Sequence, residues 1–339
     1  MIRHLADVGL GTSWCIGPMN KPFPVVPFFT TLAALVLLQG CATATACRTR
    51  PSASPGFERT ASDGMCLSSV RWEPPQPPVR GVVVLIHGLR DYSDRYGRLA
   101  EALQAQGFAV VAQDHRGHGH SGGDRQRLES MQQLVDDVDG VVQDARARHP
   151  GVPVMVFGHS MGGLIATHYV LQHASDVSGL ILSGAGIVLP PGVSGFDTRL
   201  AKIFGTILPG LPAQDLDSQM FLHDGLEKEQ FLADPLITHE KLPARSAKAL
   251  IAGIEALEGK FQDLKLPLLV VHGGEDVITA IDGSRALVAQ ATSTDKRLII
   301  YEGQRHDLAH EPDAAKVVGD IVGWVDDHVP PNAAATAAP

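Results

Sequence analysis

The chain has 339 residues, 44% of them hydrophobic and 19% charged, a globular composition long enough for one large α/β domain with room for an inserted lid. Its formal net charge is −9 and no Lys/Arg-rich run occurs, which argues against a nucleic-acid partner, because neutralising phosphates takes clustered cations. The four cysteines, Cys15, Cys41, Cys47 and Cys66, lie in the first fifth of the chain with no CxxC pair, so neither a zinc site nor a redox dithiol is indicated.

The first element in chain order is an apolar run, FFTTLAALVLL, from Phe28 to Leu38. It is too short to span a bilayer as a helix and suits the hydrophobic region of a signal peptide. The next residues complete Leu38-Gln39-Gly40-Cys41, which resembles the lipobox of bacterial lipoproteins, where cleavage before the cysteine is coupled to its acylation. The resemblance implies a signal segment over 1–40, lipidation at Cys41, and a membrane partner through that anchor. With Ala42 and not Asp following the cysteine, it further implies sorting to the outer membrane of the bacterial envelope. Lys21 supplies the basic start of the segment if translation begins at Met19, whose proportions fit better than those of Met1. Residues 41–60, rich in Thr, Ala, Ser and Arg up to Ser54, read as a lipidated tether. Cys47 and Cys66 would then sit in an oxidising compartment where they could pair; the sequence leaves open whether their geometry permits it.

From about residue 61 the pattern becomes that of a folded domain reaching to 328, with an Ala/Pro-rich tail over 329–339 that reads as disordered. Met65 to Trp72 is a short strand. Val82 to Ile86 is a continuous apolar run, mostly β-branched, as expected of a strand buried on both faces in a parallel sheet. A helix follows Ser93, which can cap it, with Tyr96, Leu99, Ala100 and Leu103 at helical spacing and Gly107 to end it. Phe108 to Val111 is the next strand, and Leu134, Val138, Val141, Val142 and Ala145 form the next helical stripe. Strand Val152–Phe157, helix Met161–Gln172 and strand Leu180–Leu182 follow. The alternation resumes with strands at 267–271 and 298–300 and a last helix near 313–327. Such alternation predicts an α/β fold with a mostly parallel central sheet flanked by helices. Between about 186 and 245 it breaks into proline-punctuated apolar clusters, which read as an inserted helical cap lining an acyl pocket.

Gly158-His159-Ser160-Met161-Gly162 matches G-x-S-x-G between a predicted strand and a predicted helix, the setting in which a sharp turn lifts a serine hydroxyl above a sheet. A serine nucleophile needs a base and a group that orients the base. In a fold of this kind they follow in the order acid, then histidine. Asp276, just past Leu268–Val271 and the Gly273-Gly274 turn, is the candidate acid, with Glu275 as its competitor. His306, in the loop after the last strand, is the candidate base; His310 reads as a surface histidine flanking the final helix. The oxyanion hole is expected from the backbone N–H groups of Met161 and Leu89, with Gly88 keeping the latter accessible. His115, His118 and His120 lie at i, i+3, i+5, which is no recognised metal-ligand spacing, and their glycine-rich surroundings read as a structural loop.

Together these residues resemble the monoacylglycerol lipase and lysophospholipase branch of the α/β-hydrolase superfamily. The matching segments are His87-Gly88-Leu89 with Ser93-Asp94-Arg95-Tyr96, the run from Asp114 to Ser121, Gly158 to Gly163, and Tyr301-Glu302-Gly303 with His306. Asp234-Pro235-Leu236-Ile237 in the cap also resembles a family segment. The likeness spans roughly residues 65–328. The family usually has Gly-Glu-His where this chain has Arg90-Asp91-Tyr92, which puts its head-group preference in doubt.

The resemblance implies a serine hydrolase that cleaves carboxylic esters of lipophilic acyl groups, monoacylglycerols or lysophospholipids, through an acyl-serine intermediate. It calls for neither metal nor organic cofactor. The same triad serves thioesterases, lactonases and cofactor-free haloperoxidases, and a lipid-binding envelope lipoprotein without turnover is the alternative from another class.

Overall fold

The computed structural model describes residues 45–50, 56–189, 192 and 194–329. The expected signal segment, its lipidation residue Cys41 and the tail from 330 onward lie outside the described residues. Eight strands form one sheet: β1 (Gly56–Thr60), β2 (Cys66–Trp72), β3 (Gly81–Ile86), β4 (Phe108–Gln113), β5 (Val154–His159), β6 (Gly179–Ser183), β9 (Leu268–Gly273) and β10 (Lys296–Tyr301). Their spatial order is β1-β2-β4-β3-β5-β6-β9-β10. Only the β1–β2 and β2–β4 pairings are antiparallel; β4 through β10 run parallel. This is the α/β-hydrolase architecture that the resemblance implies.

The parallel strands bury both faces, and the period-two alternation divides their side chains between two cores. Val82, Val84 and Ile86 of β3 face a core built with α2 (Met131–Arg148) and α3 (Met161–Gln172). Val83 and Leu85 face the other, built with α1 (Gly97–Ala105) and α8 (Ala314–His328). Each such side chain, removed from water, contributes about 1.5–3 kcal/mol. The helix α7 (Ile281–Gln290), which joins β9 to β10, buries Leu287 in the first of these cores, with α2 and α3. The cap is the insertion after β6: α4 (Gly195–Ile207), β7 (Pro212–Gln214), α5 (Leu226–Ala233), β8 (Leu242–Pro243) and α6 (Ala244–Glu255). The pairing of β7 with β8 and the packing of α4 on α6 carry it about ten residues beyond the expected end at 245.

Three expectations change. Ser93 does not cap α1. Residues Ser93–Tyr96 form a 3₁₀ turn, and the Ser93 hydroxyl donates instead to Asp114 Oδ1 at 2.6 Å. The tail was expected to begin at 329, but Val329 is fully buried and its carbonyl accepts from Arg80. The described part of the expected tether is not a tether. Arg48 N–H donates to His120 O at 2.7 Å, Arg50 pairs with Asp94 at 2.6 Å, and residues 56–60 add an edge strand. Exposure alternates along this strand, with Phe57 and Arg59 turned inward.

A disulfide joins Cys47 to Cys66, Cα atoms 5.2 Å apart across a separation of 19 residues, and staples this segment to β2. Closing a loop of that size stabilises a fold by about 3 kcal/mol in the chain-entropy account. Cys47→Ser should therefore lower the urea midpoint and raise the m-value, because the unfolded chain without the crosslink exposes more surface, and dithiothreitol should lower the wild-type midpoint to match. A reductant-insensitive midpoint would show that the bond is not formed.

Candidate active site

Ser160 stands between β5 and α3 with φ 55° and ψ −119°, a left-handed conformation that costs a non-glycine residue about 1–3 kcal/mol. The surroundings over-determine it. Its N–H donates to Ser183 O at 2.9 Å, and its carbonyl accepts from Gly163 and Gly186 at 3.0 and 3.2 Å. The turn also needs bare backbone. A β-carbon on Gly162 would meet Ile86 O at 2.1 Å, and one on Gly158 would meet Gly162 O at 2.5 Å. The two motif glycines thus let the start of α3 lie directly on β3 and β5.

The structure brings the three sequence-predicted residues together. Ser160 Oγ is 2.8 Å from His306 Nε2, and His306 Nδ1 is 2.8 Å from Asp276 Oδ2. His306 and the Asp276 side chain are both shielded from water, while Ser160 keeps 9% exposure, enough for a substrate to reach it. Asp276 is held from its other side as well. Oδ1 accepts the N–H groups of Ile278 and Thr279 at 2.8 and 3.0 Å, and the Thr279 hydroxyl donates to Oδ2 at 2.8 Å. His272 Nε2 lies 3.2 Å from Oδ2 but off the hydrogen-bond direction, with its Nδ1 on Ser284 Oγ at 2.8 Å. Glu275, the competing acid, points outward with its side chain 59% exposed, near His223.

Burial alone would raise the Asp276 carboxyl, but His306, the nearby His272 and the Thr279 N–H hold it well below the ordinary carboxylate range. Burial alone would depress the His306 imidazole. The Asp276 charge outweighs it and holds His306 above the ordinary 6.5. The neighbouring His159 has no such partner; burial, then the His306 charge, pushes it down to about 4. One histidine of the adjacent pair is therefore tuned as a base and the other stays neutral.

Leu89 and Met161 line the same cavity as Ser160, and among the described residues neither amide N–H donates to a backbone or side-chain group. Two free donors beside an activated serine can stabilise an oxyanion. Gly88 does more than leave the loop accessible, since a β-carbon there would lie 3.1 Å from Ser160 Cβ. The cavity holds about 330 Å³ and is mainly apolar, walled by Leu164 from α3, Val188 and Leu189, and Leu250 and Ile254 of the cap.

Residues that the sequence did not single out complete the site: Thr279 and His272 on the acid, and Phe221, whose ring meets the His306 ring edge-on at 5.3 Å. Thr279 had a readable signal, since Asp-x-x-Thr is a self-capping turn. His310 is not a surface histidine. It is part-buried, with Nδ1 on Asp307 and Nε2 on Arg95 O at 2.8 and 2.9 Å. His115 and His118 cluster with His87, centroids 4.2 and 5.6 Å away, while His120 turns to Thr49 O. The Arg90 guanidinium leaves the site for the cap, donating to Leu216 O, Ser218 Oγ and Glu240 O.

A base must be neutral to take a proton, so kcat/KM should fall as pH drops through an ionisation above 6.5. Asp276→Asn removes the charge that raises it and leaves the burial that lowers it. The acid limb should then move to lower pH while kcat falls about 10⁴-fold. A limb that stays in place in this variant would assign the titration to another group.

The sequence profile of the Hydrolase_4 family, described as serine aminopeptidase, S33, matches residues 77–313. The monoacylglycerol lipase of Mycolicibacterium smegmatis is 38% identical over 258 residues, covering 76% of this chain and 92% of that protein. The human monoglyceride lipase is 31% identical over 281 residues, covering 82% and 92%. The crystal structure of the Paleococcus ferrophilus monoacylglycerol lipase superposes with a TM-score of 0.70 at 29% identity, covering 77% of this chain and 99% of that one.

Proposed function

The chain belongs to the Hydrolase_4 family of α/β-hydrolases, and we propose that it is a lipase that hydrolyses monoacylglycerols through an acyl-Ser160 intermediate. The observation that carries this reading is the Ser160–His306–Asp276 chain of 2.8 Å contacts opening into an apolar cavity of about 330 Å³. Relatives whose printed names are monoacylglycerol and monoglyceride lipases support it. As Ser160 Oγ attacks the ester carbonyl, its proton passes to His306 Nε2, and the new O⁻ is held by the Leu89 and Met161 N–H groups. His306 then returns the proton to the departing glycerol oxygen, leaving the acyl group on Ser160. A water, deprotonated by the same nitrogen, attacks the acyl-enzyme, and as the bond to Ser160 Oγ breaks His306 returns that proton to the serine, releasing the fatty acid. Throughout, Asp276 holds the proton on His306 Nδ1 and offsets the imidazolium charge.

The same reading places the protein in the bacterial envelope, as an outer-membrane lipoprotein acylated at Cys41. The Leu38-Gln39-Gly40-Cys41 sequence supports it, as does the Cys47–Cys66 disulfide, a bond that persists in oxidising compartments. The cap also exposes Ile203, Phe204, Ile207, Leu208 and Leu211 within nine residues, an apolar patch suited to a lipid surface.

The full chain, extracted in detergent, should turn over a monoacylglycerol of medium or long chain faster than a lysophospholipid or a short p-nitrophenyl ester. Ser160→Ala should lower kcat by at least about 10³-fold. Equal rates in the two proteins would sink the esterase reading, and a preference for lysophospholipid would move the substrate class. Mass spectrometry of the same preparation should find Cys41 as an acylated N-terminus; an unmodified Cys41 would overturn the anchor.

A further inference from the structure

The loop that carries Leu89 contains a buried histidine for which the proposed chemistry has no use. His87 follows β3, and its ring is fixed at both nitrogens. The His115 backbone N–H donates to Nε2 at 2.9 Å, and Nδ1 lies 2.7 Å from the Gly88 carbonyl oxygen. A backbone N–H can only donate, so Nε2 bears the lone pair and the ring proton sits on Nδ1. That proton is therefore donated to the Gly88 carbonyl. His115 closes the arrangement from its own side chain, with Nε2 3.1 Å from the His87 carbonyl oxygen. The loops after β3 and β4 are thus stitched at two points, and a third contact, from His87 to Gly88, ties the first loop to itself.

The Gly88 carbonyl and the Leu89 N–H belong to one planar trans peptide, and in such a unit they point in opposite directions. Fixing one fixes the other. The loop needs this help because of its glycine. Gly88 is bare so that the chain can pass within 3.1 Å, at the β-carbon position, of Ser160 Cβ. The same bareness removes the steric barrier to turning the peptide over. A turned peptide would present a carbonyl oxygen where the ester oxygen must become negative.

We propose that His87 is a positioning residue of the oxyanion hole: held by the His115 backbone amide, its Nδ1–H clamps the Gly88 carbonyl and thereby aims the Leu89 N–H at the reacting ester oxygen. This rests on the serine-hydrolase reading. No covalent step is added; the clamp acts on the geometry of a donor, so its effect belongs in the transition state and not in substrate binding.

Two variants separate the clamp from mere filling of a buried space. His87→Asn keeps an N–H donor at the position of Nδ1. His87→Gln moves its amide to the position of Nε2, where it can accept from His115 but cannot reach the Gly88 carbonyl. The full-length Gln variant should lose about 10²-fold in kcat, the order found when an oxyanion donor is lost, with KM nearly unchanged. The Ki of a trifluoromethyl ketone, whose Ser160 adduct places an O⁻ in the hole, should rise by a similar factor. His87→Asn should restore most of both. Melting temperatures of the two proteins should fall alike, because both disturb the same buried pocket. The proposal is overturned if Asn and Gln lose kcat equally, if the loss appears only in KM, or if kcat and Ki in the Gln variant stay near wild type. A wild type whose Ser160 fails to react with a fluorophosphonate would instead overturn the hydrolase reading, a result distinct from any of these.

Discussion

Close approach of bare backbone is the constraint on which this site depends. Ser160 can be lifted into a left-handed turn only because α3 starts against the carbonyls of Ile86 and His87, where Gly162 has no side chain to collide with them. That contact sets the height of the serine above the sheet. It also sets the distance to the Gly88–Leu89 loop, which leaves the same β3 end. The strain of a few kcal/mol at Ser160 is borne by a turn anchored to β6 through Ser183 and to the following loop through Gly186. A β-carbon at Gly162 would push the helix, the serine and the oxyanion loop apart together, which is why the glycines belong to the chemistry as much as the hydroxyl does.

On this scaffold the charges are arranged so that burial is outweighed at one histidine and left to act at its neighbours. His306, His159, His115 and His118 are all buried, and desolvation pushes each toward the neutral form. Of these four, His306 alone faces a carboxylate at hydrogen-bond distance along its Nδ1, and its pKa alone is raised; His118 is pushed down to about 3. The acid is in turn kept ionised by Thr279, by two backbone amides and by the proximity of His272. Asp276 can therefore serve a cation without competing for its proton.

The triad was legible because its chemistry fixes residue type and its fold fixes chain order. A serine on a strand-to-helix turn, an acid after a late strand and a histidine after the last strand leave few candidates in 339 residues. The choice of Asp276 over Glu275 rested on the Gly273-Gly274 turn, since the angle by which neighbouring side chains diverge is not encoded in spacing. His272 escaped for the same reason. It sits on β9 four residues before the acid, and only the bend at Gly273-Gly274 returns the chain to it. The edge strand Gly56–Thr60 was hidden by composition. Glu58 and Thr60 face water while Phe57 and Arg59 turn inward, and its identity comes from pairing with β2, a partner reached through the turn between them. The Cys47–Cys66 pairing was open for want of a distance, and the fold supplies it by bringing the two Cα atoms to 5.2 Å.

The departure at Arg90-Asp91-Tyr92 raised a question about the polar end of the substrate, and the structure answers it by where these side chains go. Arg90 adopts φ 58°, a conformation in which glycine would be free of strain, yet it is among the largest fully buried side chains. A buried guanidinium is tolerable only if its donors are met, and here two cap carbonyls, Ser218 and Gln126 meet them. Asp91 accepts from Arg95 at 2.8 Å and from the Tyr96 hydroxyl at 2.6 Å, and Arg95 reaches on to Asp307 beside the catalytic histidine. The Tyr92 hydroxyl donates to Asp234 at 2.7 Å, which gives the Asp234-Pro235 segment of the cap a structural reason. All three residues join the oxyanion loop to something else: the cap twice, and the loop bearing His306 once. None of them lines the cavity beside Ser160. The substitution therefore alters how the cap is fastened, and discrimination of the head group falls to the cavity wall and to the cap that Arg90 and Tyr92 hold down.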